Sequence, residues 1–322
     1  MSPAAGTNPD AARMAELDLV EDGLRLVSLT FTVTFFTDVM FSTIPDTVLG
    51  CFDRFKKFCP ETRLKYYLTE NMKQHKPVTP RALGMLRTWL KPGAPSREFI
   101  ALELTDGEHP DAAPKFKFKV WGNEPNSLKV AEDGNYVHMA FPPEWGLERT
   151  EEMFQLVIEI AGFFPYQSGL GGFGFECTRG KRRKAETFAW ARSMRYRGID
   201  IFVHPYDTLA VGKDAIKGVN WLTVLCDPFV DRLGGRAKLR KSLPKSVELF
   251  DLPRGLLLKA GTVPRLGDTN RQELLPEYKA VYKALAPLAE PGYDRTIMFL
   301  AGDASRNYEP NTAAWQRRFA DA

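Results

Sequence analysis

Lys115-Phe116-Lys117-Phe118-Lys119-Val120 alternates without a break between a charged and an apolar side chain. A period of two cannot lie along one face of a helix, and in a strand it sends the aromatics to one side and the lysines to the other. Apolar segments at Phe99–Leu104 and Tyr136–Phe141 flank it, separated by turn-rich stretches such as Glu132-Asp133-Gly134-Asn135. Three strands in succession with short polar connections predict an antiparallel meander. Lys115, Lys117 and Lys119 share a face, which is expected to be a solvated sheet surface or an edge guarded by lysine.

Helical periodicity surrounds this meander. Ile44, Val48, Cys51, Phe52 and Phe55 recur at helical spacing in Thr43–Phe58, where Lys56 and Lys57 suit the negative end of the dipole and Pro60 stops the helix. Thr79-Pro80 has the form of an N-cap followed by proline at the first helical position, opening a helix to about Leu90. Glu148–Phe164 carries acids in its first turns and Met153, Leu156, Val157, Ile160 and Phe164 along one stripe. Further strands are expected at Leu24–Phe36, Leu64–Thr69, Ile199–Val203, Val219–Leu225, Val247–Phe250, Gly255–Ala260 and Thr296–Leu300. Further helices are expected at Lys184–Tyr196, from Asp227-Pro228 to Gly234-Gly235, at Pro276–Leu285 and at Pro310–Phe319. Helices and strands mix without strict alternation, which favours an α+β class with antiparallel or mixed sheets over a doubly wound α/β fold. The expected organisation is a frayed tail over residues 1–22 and two lobes in one body, 23–143 and 144–322.

Composition narrows the function classes. Of 322 residues, 44 are Lys or Arg and 40 Asp or Glu, a net charge of +4, and 44% are hydrophobic, which excludes a polycation and a disordered chain. Cys51, Cys59, Cys177 and Cys226 form no C-x-x-C pair, and three of them lie in apolar runs, as expected of a reducing compartment. No apolar run approaches the roughly 18 residues that would cross a bilayer, and residues 1–22 lack the basic and apolar regions of a secretory signal. A cytoplasmic location is expected.

Catalytic signatures are sparse. Gly169-Leu170-Gly171-Gly172-Phe173-Gly174 has the letters of a dinucleotide loop, but a predicted helix precedes it where a strand is required, and the ribose-binding acid is out of place. Its other reading is a close crossing of backbones beside Phe173 and Phe175. His75, His109, His138 and His204 stand apart from one another and from the cysteines, so no zinc spacing forms. Glu277-Tyr278-Lys279 copies the E-x-K of metal-dependent nucleases but lies in a predicted helix. No catalytic residue, cofactor or metal is assigned, and a non-enzymatic role is expected.

Charge is unevenly spread. Arg179, Lys181, Arg182, Arg183, Lys184, Arg192, Arg195 and Arg197 face only Glu186, a local +7, while Arg236, Lys238, Arg240, Lys241 and Lys245 add +5, leaving −8 on the rest. Such blocks steer acidic protein surfaces or nucleic acid, or are solvated faces.

The segments Tyr166–Phe175, Arg197–Ile201, Gly218–Leu225, Leu233–Gly235 and Gly267–Arg271, in this order, resemble the TsiV-type immunity family of type VI secretion systems. The resemblance runs from about Tyr136 to Leu300. It implies a cytosolic antitoxin that binds a secreted effector, often one with a VRR-type nuclease domain, and protects the producing cell and its sisters; the expected mode is stoichiometric occlusion of the effector's active site. It carries over no catalytic residue. Arg182, Arg183, Arg192, Arg195 and Lys241 are the expected effector contacts. The alternatives are a nucleotide- or metal-dependent enzyme using Gly169–Gly174, and a nucleic-acid-binding protein using the basic segments 179–197 and 236–245.

Overall fold

The computed structural model describes residues 9–127, 134–202, 214–289 and 308–320. The expected strand at Thr296–Leu300, His204, and Glu132 and Asp133 of the expected turn lie outside these residues.

The described residues form a twelve-stranded sheet. In chain order its strands are β1 (Leu19–Glu21), β2 (Leu24–Thr37), β3 (Tyr66–Thr69), β4 (Lys76–Pro77), β5 (Phe99–Thr105), β6 (Lys117–Asn123), β7 (Asn135–Phe141), β8 (Ser168–Cys177), β9 (Asp200–Ile201), β10 (Leu222–Cys226), β11 (Val247–Leu252) and β12 (Gly255–Ala260). Across the sheet the order is β11-β12-β10-β8-β2-β7-β6-β5-β3-β4, with β1 paired to β2 and β9 to β8. All pairs are antiparallel except β8 with β9. The predicted meander is present as β5-β6-β7, and the mixed, mainly antiparallel architecture is the expected α+β class. The boundary drawn near residue 143 falls just after β7. The sheet passes across it through β2, which bonds β7 on one side and β8 on the other.

The helices are α1 (Pro9–Met14), α2 (Pro45–Phe58), α3 (Pro80–Leu83), α4 (Met85–Leu90), α5 (Trp145–Glu148), α6 (Thr150–Phe163), α7 (Arg182–Arg195), α8 (Asp227–Arg232), α9 (Gly235–Ser242), α10 (Pro276–Leu285) and α11 (Tyr308–Gln316). Helix α2 covers the aromatic side of the meander: the rings of Phe52 and Phe55 stand 4.8 and 5.5 Å from Phe118. Met153, Leu156, Val157 and Ile160 of α6 enter the same cluster, as the 3.6-residue period predicts. Each fully buried aromatic contributes about 1.5–3 kcal/mol of transfer free energy. Thr79 caps α3 as expected, its hydroxyl accepting the amide of Ala82 at 3.1 Å.

Several expectations are corrected. Residues 9–21, placed in a frayed tail, form α1 and β1, and Asp10 of α1 accepts the Leu266 amide at 3.1 Å. The helix from Pro80 is broken at Gly84 into α3 and α4. The helix from Asp227 ends before Gly234-Gly235 as expected, with Gly234 at φ +93°, but a further helix that was not expected, α9, starts at Gly235. Gly169–Gly174 is the middle of β8, so the loop that nucleotide binding would require is absent: its backbone is engaged by β2 on one edge and by β10 and β9 on the other.

Candidate partner-binding surface

Helix α7 starts against the electrostatic rule for helices. Its first turn holds Arg182, Arg183 and Lys184 and no acid, so cations sit at the positive end of the dipole. Acids from elsewhere in the fold meet them. Glu21 on β1 bonds both Lys181, at 2.8 Å, and Lys184, which hold its carboxyl down to about 2. Arg182 pairs with Glu186 one turn on, whose carboxyl is nonetheless raised because burial outweighs that bond. At the far end Arg195 grips Asp268 through two nitrogens, at 2.8 and 2.7 Å, a bidentate geometry that fixes the helix end. Arg192 lies over the Phe188 ring at 5.1 Å.

The start of α7 and strand β1 enclose a groove of about 910 Å³. Leu19, Phe188 and Ala191 give it apolar walls, and Lys181, Arg182, Arg183 and Lys184 give it a cationic rim. Val20, beside Leu19 on β1, is 57% exposed. Two of the five expected contact residues, Arg182 and Arg183, therefore line one concave surface; Arg192 lies further along α7, and Arg195 is committed to Asp268.

Lys241 belongs to a different region. It is exposed on α9, whose Leu239 packs into the larger cluster together with Leu243 just beyond the helix, whereas Ala185 and Ala189 of α7 pack into the second. Arg236 reaches Asp227 and Asp251, and Arg240 reaches Asp251 at 2.7 Å. The +12 counted along the sequence thus folds into two separate surfaces, the first partly neutralised by Glu21 and Asp268, distant in sequence, and the second by the nearer Asp227 and Asp251.

The largest departure from expectation is in the meander. Lys117 and Lys119 are neither solvated nor at an edge: β6 lies between β5 and β7, and both lysines are buried. They join a layer of charges. Lys117 stands 2.8 Å from Glu176 and 3.3 Å from Glu103, and Lys119 stands 3.0 Å from Glu103. His75 bonds Glu103 at 3.1 Å. His138 links Glu176 at 2.5 Å to the Thr34 hydroxyl at 2.7 Å, with Phe202 stacked on its ring at 3.9 Å. Burial opposes the charge on both glutamates, but Lys117 and His138 outweigh it at Glu176, holding it down to about 2, and Lys117, Lys119 and His75 outweigh it at Glu103, holding it well below the usual carboxylate range. Burial also lowers Lys119, to about 7, with the Lys117 charge adding to the effect and Glu103 opposing it; burial lowers His138 despite Glu176. Thr34, His138 and Glu176 have the order of a nucleophile, a base and an acid, yet they are 3%, 0% and 1% exposed and the ring is capped by Phe202. Their role is to tie β2, β7 and β8 together. Sequence reasoning missed this layer; the available signal was opposite charge at cross-strand positions, since Glu103 pairs with Lys119 and Lys119 with His138 in register.

The motifs behind the family resemblance build the fold. A Cβ on Gly172 would lie 2.1 Å from Asn220 Oδ1, and one on Gly198 would lie 1.9 Å from the Arg265 carbonyl. Asn220 fills the first approach, donating to the Phe173 carbonyl at 3.1 Å and accepting from the Trp221 amide at 2.8 Å. Tyr278 of the Glu277-Tyr278-Lys279 triplet is buried in α10, its hydroxyl accepting the Arg265 amide at 3.2 Å. Among the described residues no three His, Cys, Asp or Glu side chains could hold a metal ion, and no helix is long and apolar enough to cross a membrane. The cysteines are free thiols, and burial pushes that of Cys59 up to about 12.

The fold is similar to that of the Pseudomonas aeruginosa T6SS protein PA0821, with a TM-score of 0.78 at 19% identity over 97% of this chain and 90% of that one. No curated protein matches the chain. Residues 47–319 match a family described as type VI immunity for VRR-NUC, a span that begins well before the segments that carried the resemblance in the sequence. With most of its length inside that match, the chain belongs to the TsiV family of type VI immunity proteins.

Proposed function

We propose that the protein is an antitoxin that binds a cognate type VI effector carrying a VRR-type nuclease domain and neutralises it stoichiometrically in the cytoplasm. The observation that carries this reading is the family match over residues 47–319. The inhibitor acts by covering the effector's active site or its opening, through an interface on the order of 800 Å² per partner, and does no chemistry of its own. Arg182, Arg183 and Arg192 on α7 are the proposed contacts of that interface, Lys241 on the separate α9 surface is a proposed second point of contact, and Arg195 contributes by anchoring α7 to Asp268. A basic surface on a nuclease inhibitor fits occlusion at an acidic patch of the enzyme rather than mimicry of nucleic acid.

The test is titration of the purified effector with this protein. Nuclease activity is expected to fall to zero at one equivalent, with co-elution of the pair on gel filtration. Two separate peaks at micromolar concentration, with full nuclease activity, would overturn the proposal.

A further inference from the structure

We infer that the groove between β1 and the start of α7 is the primary docking site for the effector, and that it takes an acidic segment bearing at least one apolar side chain. The inference rests on the immunity reading above and names the surface and partner chemistry that the reading leaves open. Its floor and rim demand different things of an occupant. Leu19, Phe188 and Ala191 offer apolar surface in a concave space of about 910 Å³, and Val20 extends that surface beyond its mouth. An exposed apolar patch rimmed by polar groups marks an interaction site. The rim is Lys181, Arg182, Arg183 and Lys184, with no acid among the lining residues, so the complementary segment carries Asp or Glu.

The acids that approach the rim set its strength. Glu21 bonds Lys181 and Lys184 from β1, Asp22 stands 3.8 Å from Lys181, and Glu186 bonds Arg182 from below. Those bonds hold the rim side chains in place around a groove whose own lining carries four cations and no acid. Glu21 thereby acts as an ordering strut between the two walls of the groove. A nucleic-acid ligand suits this surface poorly: a phosphate backbone needs an extended basic track, while the second basic run, on α9, packs with the other hydrophobic cluster. The apolar floor would stay unused.

The experiment measures binding of the purified effector to the full-length protein and to the variants Arg183→Glu with Lys184→Glu, Phe188→Ser, and, as a control, Lys283→Glu at an exposed position of α10. Charge reversal is expected to weaken binding at least about tenfold, through slower association and a flatter salt dependence. Phe188→Ser is expected to weaken it by faster dissociation, and the control to leave it within about twofold. Hydrogen exchange on the unmodified complex provides a reading that needs no variant: protection is expected at residues 19–21 and 180–191. Tight binding that survives charge reversal, with protection confined to other surfaces, would overturn the docking site while leaving the immunity function intact. If wild-type protein fails to bind the effector at all, the immunity reading itself falls. Binding of the unmodified protein to duplex DNA, abolished by the same charge reversal and competed by no effector, would overturn the acidic-segment assignment.

Discussion

The two sides of strand β6 are both buried, yet they are held by opposite physics. On one side Phe118 packs between Phe52 and Phe55 of α2, an interaction that is non-directional and grows with apolar area. On the other, Lys117 and Lys119 are held by Glu103 and Glu176 at 2.8–3.3 Å. Trimming an apolar side chain on the first side leaves a smaller version of the same environment. Removing a charge from the second leaves its partners buried without compensation, so this side tolerates change least although it contributes little net stability when intact. Aromatic packing holds the layers together, while the ionic layer links side chains of β5, β6, β7 and β8 across one face of the sheet.

That contrast can be broken most sharply at Lys117. Lys117→Ala is expected to cost about 4 kcal/mol in urea unfolding, because Glu103 and Glu176 lose the cation between them; a loss below about 1 kcal/mol would show that the layer is hydrated. A second difference is in pH dependence. Glu176 has its carboxyl held at about 2, below its ordinary value of 4.5, so the unfolded state takes up the proton first as pH falls. The stabilisation is present above pH 4.5 and is lost as the pH falls from there toward 2. Glu176→Gln is expected to flatten the stability profile in that window, measured as unfolding midpoint against pH. Lys119 works in the other direction: held near 7 against an ordinary 10.5, it makes stability rise with pH between those values, a slope that Lys119→Met should remove. The aromatic side answers more mildly. Phe118→Leu is expected to cost about 1 kcal/mol with no pH signature. Smallest is the effect at the groove, where Arg183→Glu is expected to change stability by less than about 0.5 kcal/mol, so that any loss of effector binding reports on the surface alone.

Much of this architecture was legible in the sequence wherever one face alone decided the structure. The stripe of Met153, Leu156, Val157 and Ile160 could only be a helix buried on one side, and α6 is that helix. Pro276 and the period after it marked α10 with its observed ends. The glycine-rich stretch was not legible as β8, because glycine has no side chain to display a period; its strand conformation is imposed by β2 and β10 pairing along it. Nor was α9 visible: a run of cations with one leucine carries little periodic signal, and Leu239 and Leu243 find their apolar neighbours only after the sheet has formed.

Charge shows the same division. Along the chain, residues 179–197 read as +7 with Glu186 as the lone acid, and that local count is a property of the sequence. Glu21 and Asp268, which meet Lys181, Lys184 and Arg195, lie more than 70 residues away. No local pattern announces them. The segments that identify the family were likewise readable, while their physical reasons, the approach of Asn220 to Gly172 and of Arg265 to Gly198, exist only in three dimensions. The sequence by itself determined which residues share a face, because periodicity is set by backbone geometry within one element. Which faces are buried, which charges meet, and where the basic run opens into a groove were decided by the tertiary structure alone, because burial and ion pairing depend on what other elements bring to the same place.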